Sequence, residues 1–190
     1  IPVVATRVAL ADPVAAAAMA SQIGFPVALK ILSPEISHKS DLGGVALGLD
    51  TPEEVREAAH SMLARIRRLR PQARIEGFTV QAMARREHAQ ELIVGATVDR
   101  VFGPIILFGQ GGTAVEVVAD RAVALPPLSA PLARALVSRT RVARLLEGWR
   151  DTPAADMDAV IATLMAVSQL LADVPELAEL DINPLIVNHQ

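Results

Sequence analysis

The sequence contains no cysteine and no tyrosine, and it has only one tryptophan and four phenylalanines among its 190 residues. Without cysteine, the chain has no disulfide framework, no thiol nucleophile and no cysteine-ligated metal, and a reducing cytoplasm is its simplest location. The formal net charge is −3. A basic surface with interleaved aromatic rings, which single-stranded nucleic acid favours, is therefore missing, and we expect no nucleic-acid partner.

Long apolar runs are also missing. None approaches the roughly 18 residues of a membrane-spanning helix, and the N-terminus lacks a charged segment before an apolar core, so we expect no membrane association. What is present is a chain that is 52% apolar and long enough to bury about 70% of its unfolded surface. It begins without methionine and stops shortly after an apolar strand, so we expect a domain excised from a longer protein.

The hydrophobic pattern predicts runs of strands with helices set apart, which favours an α+β fold over a doubly wound sheet. Asp12-Pro13 and the capping box at residues 51–54 predict the starts of two helices. Predicted strands cover residues 3–10, 27–31, 45–49, 75–83, 91–98, 104–108, 114–119 and 177–187, the last broken by Pro184. Predicted helices cover residues 13–23, 52–69, 129–137, 141–147 and 154–172.

The segment of residues 25–45 is the part of the chain most indicative of function. Lys30 is the only polar residue in the apolar run 27–32, and a buried ammonium needs an anion. The following loop carries His38, then Lys39-Ser40-Asp41, then Gly43-Gly44, where backbone N–H groups can approach a phosphate without a Cβ in the way. We interpret the segment as a phosphate-binding hairpin. A snorkelling surface lysine and an ordinary glycine-containing hairpin loop are the alternatives.

Asp181-Ile182-Asn183 forms a second candidate site. In a strand the two polar side chains share one face while Ile182 points to the core. Such oxygen ligands suit magnesium, which takes few protein ligands besides phosphate oxygens. The alternative is a turn or a strand end, which is where Asp-x-Asn-Pro often occurs.

Two common nucleotide-binding motifs are excluded. Gly109-x-Gly111-x-x-Ala114 formally matches a dinucleotide-binding fingerprint, but no helix of normal length follows it and no acid lies about twenty residues further on. A P-loop motif is absent from the sequence. If the chain binds ATP, a different architecture binds it.

Four blocks together resemble the nucleotide-binding domain of the ADP-forming acyl-CoA synthetases, a branch of the ATP-grasp superfamily related to the succinyl-CoA synthetase β subunit. The blocks are Phe25 to Lys30; Ile36 to Val45; Glu91 to Gly95 with Phe102-Gly103-Pro104 and Phe108 to Gly112; and Leu180 to Val187. The resemblance spans nearly the whole chain. It implies an ATP-grasp fold whose two lobes hold the nucleotide between mainly antiparallel sheets, with residues 1–80 as the smaller lobe and 81–190 as the larger lobe, truncated at its last strand.

The resemblance also assigns residues to ATP or ADP. Lys30 would contact the phosphates, the segment 80–83 would be the inter-lobe hinge whose backbone meets adenine, and Glu91 would be a carboxylate at the nucleotide. The full set implied for the cofactor is Lys30, Gln81, Met83, Glu91, Gly111 and Gly112. For Glu91 the alternative is a sheet-edge acid opposite an arginine.

The catalytic and metal assignments rest on the same resemblance. His38 would accept and relay a phosphoryl group, and the alternative is a loop histidine bonded to Asp41. Asp181 would steady the histidine that is phosphorylated, and Asn183 would be the amide ligand of Mg²⁺. A second metal ligand would lie beyond Gln190.

The implied activity is that of an ADP-forming acid–CoA ligase, run reversibly through acyl phosphate and phosphohistidine, and the isolated fragment would be inactive. CoA-binding and ligase domains would be supplied by the parent chain or a partner subunit. The alternative is a nucleotide-sensing or structural module fused to a protein acetyltransferase. A third possibility, a pure scaffold, predicts no nucleotide binding.

Overall fold

The structure of the chain, a computed structural model, describes residues 1–36, 39–84, 88–112 and 119–189. The chain divides into two compact units, which span Pro2–Arg85 and Arg86–Gln190. The elements of the first unit are β1 (Thr6–Ala9), α1 (Pro13–Ile23), β2 (Val27–Leu32), β3 (Val45–Leu49), α2 (Pro52–Leu69) and β4 (Gly77–Ala82). Those of the second unit are β5 (Gln90–Asp99), β6 (Gly103–Gln110), β7 (Arg121–Ala124), α3 (Ala130–Ser138), α4 (Ala143–Leu146), α5 (Met157–Asp173) and β8 (Glu179–Val187).

The first unit is a four-stranded antiparallel sheet in the order β1-β4-β2-β3. Alternate residues of β2 and β4 are fully buried and form a core with apolar residues of α1 and α2. Phe78 is the largest of these buried side chains, and its truncation to alanine would cost about 3–5 kcal/mol. The intervening residues Lys30 and Gln81 consequently point to the opposite face of the sheet.

Side-chain caps begin both helices of this unit, as the sequence predicts. Asp12 accepts a hydrogen bond from the backbone N–H of Ala15 at 2.8 Å, with proline in the first turn. Thr51 accepts one from the N–H of Glu54 at 3.2 Å. The Glu54 carboxylate accepts from the N–H of Asp50 at 2.7 Å, so the reciprocal bond of the capping box is made one residue earlier than in the usual motif.

The second unit is also a four-stranded antiparallel sheet, in the order β7-β6-β5-β8. Leu92 and Val94 of β5 and Ile106 and Phe108 of β6 are fully buried against the helical side of the sheet. On β5 and β8 the alternate positions face away from this core, and they include Glu91, Asp181 and Asn183. The predicted α+β class with mainly antiparallel sheets is confirmed.

Two sequence predictions about this unit were wrong. Pro184 does not break β8, because Asn183 and Pro184 together lie opposite Ile93 in a bulge, where proline's missing N–H costs no ladder bond. The helix predicted at 141–147 is only the four-residue α4, which ends before Gly148 at φ 93°. The strand predicted at 114–119 falls outside the described residues except for Ala119, which is in no strand.

The unit boundary lies after β4, so Gln81 and Ala82 belong to the first unit. The assignment of residues 1–80 and 81–190 to a smaller and a larger lobe stays a prediction. Among the described residues, every helix is too short or too polar to cross a membrane.

Candidate functional site

Lys30 lies in a chain of hydrogen-bonded side chains that crosses the first sheet. Its Nζ donates to Oε1 of Gln81 at 2.9 Å, and Nε2 of Gln81 donates to Oγ1 of Thr6 at 3.1 Å. Lys30 is partly buried in a strand that is otherwise nearly all buried. In the described part of the chain no carboxylate pairs with it, so its positive charge is positioned by a neutral amide and remains available to an anion.

Thr6 was missed by the sequence analysis. Strand alternation alone could place it on one face of β1, but its contact with Gln81 depends on the pairing of β1 with β4, in which Thr6 lies opposite Gln81. That pairing joins strands far apart in sequence and has no local signal. Its hydroxyl accepts from the Gln81 amide and thereby orients Oε1 toward Lys30.

The turn that follows β2 is closed by its own backbone. The N–H of Gly43 donates to the carbonyl of Ser40 at 2.9 Å, and the N–H of Gly44 donates to the carbonyl of Lys39 at 2.7 Å. Since both amides are used within the turn, the predicted contact of these glycine N–H groups with a phosphate is not supported. His38, the predicted phosphoryl acceptor, lies outside the described residues.

Met83 is held against the end of the same sheet. Its Sδ accepts from the N–H of Gly48 at 2.9 Å, and its own N–H donates to the carbonyl of Pro26 at 3.0 Å. The backbone N–H of Met83 therefore already has a hydrogen-bond partner. At this residue of the predicted hinge, the carbonyl oxygen is the backbone group that could bind an adenine base.

In the second unit the structure brings together Glu91, Gly111 and Gly112. The N–H of Gly111 donates to the carbonyl of Glu91 at 2.7 Å. A Cβ on Gly111 would lie 2.8 Å from the backbone of Leu92, and one on Gly112, whose φ is 87°, would lie 2.9 Å from Oε2 of Glu91. Gly111 thus packs directly on the backbone of β5, and a residue with a Cβ at position 112 would displace the carboxylate of Glu91.

The alternative interpretation of Glu91 is excluded by the sheet topology. β5 lies between β6 and β8 rather than at an edge, and the residue opposite Glu91 is Ile186 rather than an arginine. Within the described ranges the carboxylate forms no ion pair. It is exposed, as a group that contacts a ligand must be.

Asp181 and Asn183 are exposed on the same face of β8, and Ile182 between them packs against the core, as predicted. Asp181 lies opposite Gly95, a residue that leaves space above the sheet. The described residues contain no group of three or more histidine, cysteine, aspartate or glutamate side chains that could hold a metal. The two oxygen donors here therefore fit magnesium only in its usual protein setting, where phosphate and water complete the shell.

Asp120 is a further residue that the sequence analysis missed. Its side chain is 6% exposed, and it accepts hydrogen bonds from the backbone N–H groups of Arg141 at 2.8 Å and Val142 at 2.7 Å. Its carbonyl accepts from the N–H of Gln110 at 3.0 Å. Asp120 thus ties the end of the segment after Gly112 to both β6 and the start of α4.

Comparison with known proteins shows which family the chain resembles. A family model described as an ATP-grasp domain matches residues 1–190. The chain is 41% identical over 169 residues to the acetate–CoA ligase (ADP-forming) I of Archaeoglobus fulgidus, an alignment that covers 89% of this chain and 24% of that protein. It is 36% identical over 169 residues to the acetate–CoA ligase (ADP-forming) II subunit beta of Pyrococcus furiosus, covering 88% of this chain and 71% of that subunit.

Solved structures show the same likeness. One is the dinucleotide forming acetyl-coenzyme A synthetase 1 of Ca. Korarchaeum cryptofilum in complex with coenzyme A, Ca-AMPCP and HgCl+, with a TM-score of 0.91 and 37% identity, covering 100% of this chain and 82% of that chain. Another is the same synthetase with coenzyme A and Mg-AMPPCP, its phosphohistidine segment pointing towards the nucleotide binding site, with a TM-score of 0.80 and 35% identity, covering 100% and 80%.

The chain spans about a quarter of the length of the Archaeoglobus protein and most of the length of the Pyrococcus subunit. Three observations agree: the family model matches every residue, the structure has two antiparallel sheets, and the chain is similar to a separate β subunit. The chain belongs to the ATP-grasp family, in the branch of the ADP-forming acyl-CoA synthetases.

Proposed function

We propose that this chain is the nucleotide-binding domain of an ADP-forming acyl-CoA synthetase, and that it moves a phosphoryl group between His38 and ADP. The observation that carries the proposal is the Lys30 ammonium, held at 2.9 Å by the neutral side chain of Gln81 on the face of the sheet away from the core. Such a charge is suited to the phosphates of a nucleotide, because no protein carboxylate neutralises it in the described chain.

The first unit would contribute Lys30 to the phosphates and the backbone carbonyl of Met83 to the base. Gln81 would act through Lys30 by fixing the direction of its side chain. These roles agree with the observed contacts, since the N–H of Met83 and the amide of Gln81 already have protein partners.

The second unit would contribute Glu91, with Gly111 and Gly112 providing the close approach of backbone that the carboxylate site requires. Asn183 would bind Mg²⁺ through its amide oxygen, and the metal, when bound, would neutralise phosphate charge. Asp181, exposed on the same face, would accept a hydrogen bond from the imidazole that becomes phosphorylated and so hold its other nitrogen free for attack.

In the direction from ATP, a nitrogen of His38 would attack the γ-phosphorus. The bond between that phosphorus and the β–γ bridging oxygen breaks, an N–P bond forms, and ADP leaves with the electron pair. In the reverse direction the terminal oxygen of ADP attacks the phosphohistidine and ATP is formed. Positive side chains near the phosphates lower the energy of this transfer, since catalysis of phosphoryl transfer is mainly positioning and charge stabilisation.

The whole reaction would convert acyl-CoA, ADP and phosphate to the free acid, CoA and ATP. CoA-binding and ligase domains would come from the parent chain or from a partner subunit. The relatives support this arrangement, because the matching region is part of a much longer ligase in Archaeoglobus and most of a subunit named beta in Pyrococcus.

The test uses the full-length protein and two charge-removing variants, Lys30→Ala and Arg7→Ala. Arg7 is a matched control because it is a cation on the same sheet. It lies opposite Val80, which faces the core, so its side chain extends from the face opposite to that of Lys30. Calorimetric titration with Mg-ATP should show binding that Lys30→Ala weakens by about 1 kcal/mol or more, while Arg7→Ala binds as the wild type does.

A second measurement concerns the chemistry. Incubation with ATP labelled at the γ-phosphate should give acid-labile, alkali-stable label on the wild type and none on His38→Ala. Binding without label would point to a nucleotide-sensing module instead of an enzyme. Absence of binding to a well-folded protein would leave a structural scaffold, and the proposal would be wrong.

A further inference from the structure

The sequence pattern of α2 indicates that its arginines form a solvent-exposed face. In the structure one of them, Arg65, makes a specific contact. Arg65 extends across the turn after β2. A Cβ built on Gly43 would lie 2.9 Å from Cδ and 3.1 Å from Cζ of Arg65, and it would collide with Nη1. The guanidinium therefore rests on the backbone of the turn at Gly43, where a side chain would displace it.

The conformation of Gly43 supports this contact. Its φ is +66°, a region that residues with a Cβ rarely adopt. Its N–H closes the turn onto Ser40. The backbone conformation thus favours glycine at the position where the arginine lies, and a residue with a Cβ there would push the arginine side chain aside.

Neither cation at this turn is neutralised. In the described ranges Arg65 and Lys39 have no ion-pair or hydrogen-bond acceptor, and Asp41, the exposed carboxylate of the same turn, forms no ion pair. On the same helix Arg56 pairs with Glu53 at 3.4 Å, whereas Arg67 has no partner among the described residues. Because the amides of Gly43 and Gly44 donate within the turn, these side chains are the groups that could hold an anion there.

We infer that Arg65, together with Lys39, forms a binding site for a phosphate dianion at the turn of residues 39–44. A guanidinium fork matches two phosphate oxygens, and a nearby ammonium adds a point charge. The inference rests on the proposed function for one source of that phosphate, a phosphoryl group on His38, the residue before Lys39. Inorganic phosphate is the other source with the same chemistry.

The experiment compares the wild type with Arg65→Ala, Arg65→Lys and Arg67→Ala in the full-length protein. Arg67 is the control, because it is an exposed arginine of the same helix for which the described structure shows no partner. Three quantities are measured: the rate of labelling from γ-labelled ATP, the Kd of Mg-ATP, and the Kd of inorganic phosphate alone by calorimetry.

If the site holds the phosphoryl group of His38, Arg65→Ala should slow labelling about tenfold or more, with the Kd of Mg-ATP unchanged. If it holds inorganic phosphate, the Kd of phosphate should rise by a similar factor while labelling stays normal. In either case Arg65→Lys should recover part of the loss, because it keeps the charge but not the fork. Arg67→Ala should match the wild type.

The inference is overturned if Arg65→Ala leaves both labelling and phosphate binding unchanged. It is also overturned if the losses come with an equal loss of Mg-ATP affinity and a lower melting temperature, since this would show a purely structural contact. Should the wild type fail to bind Mg-ATP, the proposed function fails on its own, and the phosphate titration of Arg65→Ala still decides whether the anion site exists.

Discussion

Lys30 and Gln81 are joined by a hydrogen bond of 2.9 Å although they are not opposite each other in the sheet. Lys30 lies opposite Thr79, and Gln81 lies opposite Ala28, so the contact is diagonal across β2 and β4. An amide that accepts from an ammonium directs it without cancelling its charge. The pair therefore acts as a positioned cation rather than as an ion pair that only stabilises the fold.

This relationship predicts different effects for two substitutions of Gln81. Gln81→Ala should weaken Mg-ATP binding by about 0.5–1.5 kcal/mol, because Lys30 loses its orienting partner. Gln81→Glu keeps the shape but places a negative charge beside the ammonium and near the phosphates, so it should weaken binding further. Calorimetric titration of both variants checks the order. Equal affinity of Gln81→Glu and the wild type would show that Lys30 does not meet phosphate.

Gly112→Ala should lower both the free energy of unfolding and the affinity for Mg-ATP. The new methyl group would lie 2.9 Å from Oε2 of Glu91, and φ at this position is 87°. Gly103→Ala is the matched control, because its φ is 75° but nothing lies within 4 Å of the added Cβ. Both variants carry the strain of about 1 kcal/mol for a left-handed residue.

Only Gly112→Ala should therefore lose nucleotide affinity, measured by titration beside urea unfolding curves. If Gly103→Ala loses as much affinity as Gly112→Ala, the approach of Gly112 to Glu91 has no role in binding.

The sequence predicts most of the elements because their signals are local. Asp12-Pro13 begins α1, Thr51 begins α2, and alternation places Asp181 and Asn183 on one face of β8. The contacts of Thr6 and Arg65 were missed because each joins segments distant in the chain. The glycine amides at 43 and 44 were misjudged for a similar reason, since composition cannot show that they close their own turn.

Asp120→Ala should destabilise the second unit by about 1–3 kcal/mol, because two backbone N–H groups would lose the buried carboxylate that accepts their hydrogen bonds. Asp120→Asn keeps one acceptor oxygen, so its free energy of unfolding should fall by less.

Asp158→Ala is the control. Asp158 pairs with Arg134 at 3.0 Å, but the two side chains are 90% and 58% exposed, and such pairs contribute about 1 kcal/mol at most. Urea unfolding of the three variants measures the difference, and equal losses for Asp120→Ala and Asp158→Ala would contradict it.

Acid should loosen the hairpin between β5 and β6. Hydrogen bonds from the backbone N–H of Phe102 and of Val101 to Asp99 lower the pKa of its carboxyl below the ordinary value of 3.8. Since the folded pKa is depressed, the stabilisation is complete above the unfolded value and is lost as the pH falls through the folded one.

Amide proton shifts of Val101 and Phe102, followed by NMR as the pH is lowered, should therefore change with a midpoint below 3.8. The same amides in Asp99→Asn should show no such step. Glu176→Gln, which removes an exposed carboxylate of the second unit, should titrate like the wild type. A midpoint at or above the ordinary value would show that these bonds do not favour the ionised form.

Asn183 provides the most direct test of the metal site. If its amide oxygen binds Mg²⁺, Asn183→Ala should raise the Mg²⁺ concentration needed for half-maximal ATP binding about tenfold or more, because the site would lose its amide ligand. Binding of ADP without metal should be unaffected, since no nucleotide contact is removed. Asn183→Asp should retain metal dependence, because a carboxylate oxygen also suits a hard cation.

Glu179→Gln is the control for this test. Glu179 is exposed on the same strand and face but lies opposite Thr97, so the variant should behave as the wild type. If the Mg²⁺ dependence of Asn183→Ala is unchanged, Asn183 does not bind the metal and serves only as part of the bulge in β8.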